Sequence, residues 1–300
     1  MRGLAASLWF LALLLALPLV SGCYSVPQSP RTAGLDDRAR IAEAAPEYWE
    51  SRDLPSLPAR ANIALVEFSV EFVTEKLESP GGRQPWIFGF DYGTAGFVLT
   101  AFGVGKKSLV LAKDSLESIP NDMHDVFVRE LLSAGFSVIP DEKVSACVSY
   151  RDFQTRGPGA ANFFQRLDFT GSDTGNSKVM PLYPARGHVA VNGAGSRRIP
   201  DVETALLKEL GADAVLRARF RVGLYQGHVA IERGSRIYVT TAAGSGELRA
   251  IRSLVSDVTA AERGQFRLFR GNVYSPDPAS CRAAVLDVFP SYASLADQME

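Results

Sequence analysis

The sequence predicts an α/β fold in which a mixed sheet is covered by helices. Three observations support this prediction. Residues 61–76 show the two-residue apolar alternation of a long strand, and two amphipathic helical segments each end at a glycine and lead into another strand. Several further strands and a terminal helix then follow. This order of elements is typical of a sheet with helices packed on its faces.

The first strand is predicted over residues 61–76. The side chains expected on its core face are Ala64, Val66, Phe68, Val70 and Phe72. The opposite face begins with the apolar Ile63 and Leu65 and becomes polar at Glu67. We therefore expect the first half of the strand to be buried on both faces and the second half on one face only.

Two helices are predicted from apolar stripes with the helical period. The first covers residues 121–134 and precedes Gly135, and the second covers residues 201–210 and precedes Gly211. Glycine suits these positions because the residue after a helix often adopts a left-handed conformation. The other predicted elements are strands at 97–102, 108–112, 136–139, 188–191, 214–225, 236–241, 247–254 and 265–274, and helices at 141–152 and 278–299, the last of them broken near Pro290.

Residues 61–300 are predicted to form a single domain that carries two insertions. The first insertion, residues 77–118, is rich in aromatic residues and glycine, and the second, residues 153–196, lacks a clear period. Before the domain, residues 23–60 contain repeated prolines among polar residues. Prolines interrupt regular elements, so this segment is predicted to be a flexible tether.

The N-terminus carries the features of a secretory signal over residues 1–22. Arg2 precedes a leucine- and alanine-rich run, which closes with Val20-Ser21-Gly22-Cys23. This closing motif resembles a bacterial lipobox. The resemblance implies cleavage before Cys23 and attachment of acyl chains such as palmitate to its thiol. Because Tyr24 is not acidic, it also implies sorting to the outer membrane, on its periplasmic face. The alternative is an ordinary signal peptide or a short anchor with an incidental cysteine.

Composition excludes several function classes. The formal net charge is −1, so the chain has no overall attraction for nucleic acid. The sequence contains neither a His-Glu-x-x-His nor a Gly-x-Ser-x-Gly motif. The three histidines, His124, His188 and His228, lack the spacing of metal ligands and are interpreted as structural. We therefore expect no enzyme, no bound metal and no cofactor other than the lipid on Cys23.

Two cysteines remain besides Cys23. Cys147 and Cys281 could pair as a disulfide in an oxidising compartment, or both could be buried free thiols. The spacing alone does not decide between these alternatives, because it does not show whether the two Cα atoms approach within bonding distance.

Arg217, Arg219 and Arg221 alternate along the predicted strand at 214–225 and should share one of its faces. One interpretation is a basic surface for an anionic polymer, a lipid phosphate or the acids of a neighbouring subunit. The alternative is a solvated sheet face on which glutamates such as Glu232 and Glu247 pair with these arginines across the strands.

Three segments together suggest a family. They are Ile63-Ala64-Leu65-Val66-Glu67-Phe68, the helix-to-strand passage from Phe127 to Pro140, and the passage from Leu206 to Leu216 that contains Leu210-Gly211-Ala212-Asp213-Ala214-Val215. Their pattern is similar to periplasmic lipoproteins with the curli-secretion-channel (CsgG-type) and TolB-N-terminal-like domain. The similarity extends over most of residues 61–292.

This resemblance implies a CsgG/TolB-N-like periplasmic domain in a non-enzymatic, ring-forming homo-oligomer. Such a protein would work with envelope secretion or assembly proteins to support export or assembly of a surface fibre or polymer. Residues 226–234 are too few for one membrane hairpin of that family, and residues 247–274 are rich in arginine. We therefore expect no complete membrane barrel. The alternative function is a monomeric envelope lipoprotein that binds a periplasmic protein or a cell-wall component.

Overall fold

The computed structural model describes residues 47–58, 60–78, 105–109, 111–154, 177–179, 182–191, 199–225, 228–256, 263–267, 271–274 and 278–297. The predicted signal at residues 1–22, the lipidation candidate Cys23 and the predicted strand at 97–102 lie outside these residues. Within the described ranges, no helix combines the length and the apolar character that crossing a bilayer requires.

The described residues form twelve strands and five helices. The strands are β1 (Trp49–Arg52), β2 (Asn62–Glu78), β3 (Gly105–Leu109), β4 (Ser137–Val138), β5 (Ser177–Val179), β6 (Tyr183–Pro184), β7 (Ala214–Tyr225), β8 (His228–Thr241), β9 (Gly244–Ala250), β10 (Leu254–Val255), β11 (Arg263–Arg267) and β12 (Gly271–Tyr274). The helices are α1 (Lys113–Ser133), α2 (Asp141–Ala146), α3 (Val148–Gln154), α4 (Ile199–Leu210) and α5 (Pro278–Asp297).

The sheet is mixed and follows the order β1-β9-β8-β7-β2-β3-β12-β11. Strands β2 and β7 run parallel at its centre, and β7, β8 and β9 form an antiparallel meander. The short strands β4, β5 and β6 also pair with β2. The predicted α/β class, with a mixed sheet covered by helices, is therefore confirmed.

Two apolar clusters cover the two faces of the sheet. The larger cluster packs α1 and α5 against one face through residues such as Phe127 and Phe289, and the smaller one packs α2, α3 and α4 against the other. The molecule therefore has three layers, and β2 contributes side chains to both clusters. Apolar burial in each cluster packs its helices against the sheet.

A β-bulge in β2 places its side chains on other faces of the sheet than the alternation predicts. The pairing register between β2 and β7 shifts between Leu65 and Glu67, so β2 carries one extra residue there. Ile63 and Leu65 consequently share the larger cluster with Phe68, whereas Val66 belongs to the smaller one. The prediction that Ala64, Val66 and Phe68 share a face is wrong, because an inserted residue reverses the alternation.

The end of α1 shows how the sequence sets the helix-to-strand passages. Gly135 has a φ of +96° and follows the helix. The backbone N–H of Phe136 donates to Leu131 and that of Gly135 donates to Leu132, which satisfies carbonyls that the helix leaves open. Gly211, with a φ of +59°, occupies the same position after α4. Both predicted helix ends are thus confirmed.

Other element boundaries differ from the predictions. Helix α1 begins at Lys113 and continues through Pro120, so its first turns fall inside the predicted insertion at 77–118. Helix α5 continues through Pro290 rather than breaking there. The predicted helix at 141–152 is divided into α2 and α3, and residues 188–191 form no strand. Helical patterns persist through a proline when the surrounding face is buried, as it is for Pro120.

The tether predicted over residues 23–60 ends earlier than expected. Strand β1 pairs with β9, with Trp49 opposite Ala250, and it forms one edge of the sheet. Tyr48 and Trp49 are 3% and 1% exposed and belong to the larger apolar cluster. Burial of these two large aromatic rings draws the segment onto the body, although prolines follow it closely in sequence.

Candidate functional site

The arginines of β7 are paired inside the protein. Arg219 makes a two-point contact with Glu67 of β2, with its Nε and Nη2 donating at 2.9 and 3.1 Å. Arg217 donates through Nε to Glu203 of α4 and lies 3.6 Å from Glu67. Arg221 donates to Glu71 of β2. Three arginines thus face three glutamates, and we call this set the arginine–glutamate network.

The carboxylates of this network are largely saturated. Glu67 is fully buried and also accepts hydrogen bonds from the Val191 amide and the Ser69 hydroxyl. Glu203 accepts a further bond from the Thr240 hydroxyl at 2.7 Å. Buried charges are tolerated when they are paired and hydrogen-bonded in this way.

Burial opposes the charge on Arg217, but Glu203 and Glu67 outweigh that effect and raise its pKa. Its guanidinium also lies 4.3 Å from the centre of the Tyr238 ring. These contacts favour the alternative in which Arg217, Arg219 and Arg221 pair with glutamates across the strands, and the anionic-partner surface stays a prediction. The bulge in β2 turns Glu67 and Glu71 toward these arginines. Of the predicted partners, Glu232 lies opposite Arg221 in the β7–β8 register, whereas Glu247 lies 3.9 Å from Arg236.

A second polar cluster is formed by His124 of α1, Asp141 at the start of α2, and His188 in the segment after β6. The Nε2 atoms of the two histidines are 3.0 Å apart. Each Nε2 lies 3.5 Å from Asp141 Oδ2. The three atoms form a nearly equilateral triangle, and each is of a kind that ligates metal ions. We call this set the histidine–aspartate cluster.

All three members of the cluster are held against β2. The His124 ring meets the ring of Phe68 edge-on at 5.5 Å. Ahead of Asp141, the backbone N–H of Ile139 donates to Ile63 at 2.8 Å. His188 belongs to a turn in which Ala185 donates to the Phe68 carbonyl at 2.8 Å. The cluster therefore arises from the tertiary fold, because its three segments join one strand at neighbouring positions.

Burial differs among the three side chains. The side chain of His188 is 1% exposed, that of His124 is 12% exposed and that of Asp141 is 31% exposed. Asp141 therefore forms the solvent side of the cluster. It borders a cleft of about 670 Å³ that is also lined by Asn121, Asp125, Glu142, Ser145, Arg186 and Gly187.

The protonation states suit a ligand set. Burial lowers the pKa of His124, and the neighbouring His188 lowers it further. Burial opposes ionisation of Asp141, but contact with His188 and His124 holds the pKa of its carboxyl below the ordinary value. The two shifts favour a neutral His124 imidazole and an ionised Asp141 carboxylate, which are the states that metal ligands require.

Sequence reasoning missed the histidine–aspartate cluster. His124 and His188 are 64 residues apart and Asp141 lies between them, so no local motif unites them. The two predicted cysteines do not meet, because Cys281 belongs to the larger apolar cluster whereas Cys147 packs beside the smaller one. The possible disulfide is therefore not formed, because the two thiols lie on opposite faces of the sheet.

Tyr150 of α3 supports the segment that carries His188. Its hydroxyl donates to the Gly187 carbonyl at 3.4 Å, and its ring is 1% exposed. Burial raises the pKa of Tyr150 to about 12. Between about pH 10 and 12 the folded protein keeps the Tyr150 proton, whereas the unfolded chain loses it. The neutral, buried Tyr150 therefore stabilises the fold below about pH 10, and this contribution to the free energy of unfolding is lost as pH rises from about 10 to 12.

We expect Tyr150→Phe to remove this alkaline dependence. Between pH 10 and 12, the free energy of unfolding of the unmodified protein should fall more steeply than that of the variant, by about 1.4 kcal/mol per pH unit. Urea denaturation across this range measures both slopes. Equal slopes would show that the Tyr150 proton is not held by the fold.

Comparison with protein-family models, with curated proteins and with solved structures found no match to this chain. The CsgG/TolB-N-like assignment therefore remains a prediction.

Proposed function

We propose that this protein is a lipid-anchored scaffold or secretion-accessory protein of the bacterial envelope, held at the periplasmic face of the outer membrane. The observation that carries the proposal is Val20-Ser21-Gly22-Cys23, which places small residues and a cysteine directly after an apolar run. Acyl chains on Cys23 would hold the body against the membrane, since two or more such chains anchor a protein stably.

The body is proposed to have no enzymatic role and to act through assembly with copies of itself and with envelope secretion or assembly proteins. The arginine–glutamate network supports a structural role for β7, because its arginines form ion pairs with glutamates of the same chain. Assembly into a ring would support export or assembly of a surface fibre or polymer, as the CsgG-type resemblance implies. A monomeric lipoprotein that binds a periplasmic protein or a cell-wall component is the alternative.

Cys23→Ser tests the anchor. We expect the unmodified chain to stay with membranes after a high-salt wash and to incorporate labelled palmitate. The variant should lose the label and leave the membrane fraction, because the apolar run alone is short for a span. Cys147→Ser is the matched control and should behave like the unmodified chain. Membrane association of Cys23→Ser without cleavage would favour a simple N-terminal anchor.

The oligomeric state tests the scaffold. The detergent-extracted protein should elute as one species whose mass, measured by light scattering, is a multiple of the 32.4 kDa chain less its leader. A monomer at all concentrations would contradict ring formation and favour the alternative function.

A further inference from the structure

The histidine–aspartate cluster has the geometry of a metal centre. In a tetrahedral zinc site, ligand bonds of about 2.0–2.1 Å place neighbouring ligand atoms about 3.3–3.4 Å apart. The separations between His124 Nε2, His188 Nε2 and Asp141 Oδ2 are 3.0, 3.5 and 3.5 Å. The three atoms thus match one face of such a tetrahedron, and a single ion could contact all of them.

The donor set restricts the kind of ion. Two imidazole nitrogens and one carboxylate oxygen suit Zn²⁺ and related transition metals, whereas Ca²⁺ and Mg²⁺ prefer sites made wholly of oxygen. Right-angled octahedral ligands would lie about 3.0 Å apart at the same bond length. The two separations to Asp141 Oδ2 exceed this value at 3.5 Å, although the separation between the two Nε2 atoms equals it at 3.0 Å. The geometry therefore favours a tetrahedral ion such as Zn²⁺.

The surroundings of His124 also fit a metal ligand. His124 Nδ1 lies 3.3 Å from Asp125 Oδ1, a contact that holds the proton on Nδ1 and leaves Nε2 free to coordinate. His188 Nδ1 is buried and has no hydrogen-bond partner among the described residues. An ion on Nε2 would place the proton on this Nδ1, so His188, unlike His124, would bind without a supporting hydrogen bond.

Hydrogen bonding alone accounts poorly for the cluster. Two neutral imidazoles can share one proton between their Nε2 atoms, but Asp141 Oδ2 then lies 3.5 Å from both nitrogens, beyond the usual range of a hydrogen bond. The three ligand atoms lie within 4.8 Å of one another, so a cation between them could contact all three.

We infer that His124, Asp141 and His188 bind one divalent transition metal ion, with Zn²⁺ the best match. Three protein ligands leave the fourth tetrahedral position for water, on the side where Asp141 meets the cleft. The ion would also link three segments that are distant in sequence: α1, the start of α2 and the turn after β6. Binding should therefore stabilise the folded state as well as fill the site.

The test uses the full-length protein in detergent, stripped with a chelator and titrated with ZnCl₂ against a chromophoric competitor. We expect one Zn²⁺ per chain and a rise in Tm of about 5–10 °C at a hundredfold excess over Kd. Substituting Co²⁺ should give the strong visible absorption of tetrahedral cobalt.

Asp141→Asn and His188→Gln should each weaken Zn²⁺ binding about 100-fold or more. Asp125→Asn alters a residue that contacts His124 and Arg186 but is not a ligand, and it should weaken binding about 10-fold. His228→Gln and Glu142→Gln are matched controls. His228 lies outside the cluster, and Glu142 lines the same cleft without joining it. Both controls should bind like the unmodified protein.

Asp141→Asn keeps the folded state testable because Asp141 is partly exposed and its replacement has the same shape. The inference is overturned if the stripped protein takes up less than about one tenth of an equivalent of Zn²⁺. It is equally overturned if folded Asp141→Asn and His188→Gln bind as tightly as the controls. In that case the cluster is a hydrogen-bonded group without a metal.

Discussion

Glu67→Gln should lower the free energy of unfolding by about 3–5 kcal/mol, because it removes a fully buried carboxylate and leaves the partly buried Arg219 without it. Glu67 is fully buried and receives both donors of the Arg219 contact. Glutamine has the same shape, but its amide –NH₂ replaces one carboxylate oxygen. An N–H donor of the glutamine then faces an N–H donor of Arg219. Arg217 retains Glu203, so the loss falls mainly on Arg219.

Urea denaturation of the purified chain measures this loss. Glu50→Gln is the control, because Glu50 pairs with Arg52 at the surface and its loss should cost less than about 1 kcal/mol. A double-mutant cycle with Arg219→Met should give a coupling energy of about 0.5–3 kcal/mol between Glu67 and Arg219. If Glu67→Gln costs no more than Glu50→Gln, the arginine–glutamate network is not a buried network.

Phe68→Ala should cost a similar amount, about 3–5 kcal/mol, through the cavity it leaves in the larger apolar cluster. Phe68 is fully buried, and its ring lies 5.6 Å from Phe127, 5.5 Å from Phe220 and 6.4 Å from Phe289. These rings come from α1, β7 and α5, so one truncation affects three elements. Thermal and urea unfolding both measure the loss.

Two controls separate cavity formation from a general sensitivity to substitution. Phe68→Leu retains most of the volume and should cost less than about 1.5 kcal/mol. Val148→Ala removes methyl groups from a side chain that is 71% exposed and should change stability by no more than about 0.5 kcal/mol. If Phe68→Ala resembled Val148→Ala, the assigned face of Phe68 in β2 would be contradicted.

Local signals in the sequence predicted much of the fold. Strand β7 has its predicted bounds because apolar residues and arginines alternate strictly from Leu216 to Val222. The apolar stripe of α1 was correct at Met123, Phe127 and Leu131. Such patterns extend over several turns or residue pairs, and a strong period tolerates small errors at its ends.

Features that depend on tertiary contacts were not predictable in the same way. The bulge at Glu67 depends on how β2 pairs with β7, so the alternation alone assigned the glutamate to a solvated face. Burial of Trp49 depends on β9, two hundred residues later. The histidine–aspartate cluster forms only where three segments join β2. The spacing of His124, Asp141 and His188 in the sequence does not indicate that these segments are close in the fold.

The N-terminus of the mature chain tests the proposed function most directly. Mass spectrometry of protein extracted from membranes should show a chain that begins at Cys23, with an added mass equal to that of acyl chains on its thiol. All residues from Met1 to Gly22 should be missing. A chain that retains these residues and has an unmodified Cys23 thiol would contradict the lipid anchor and the scaffold role that depends on it.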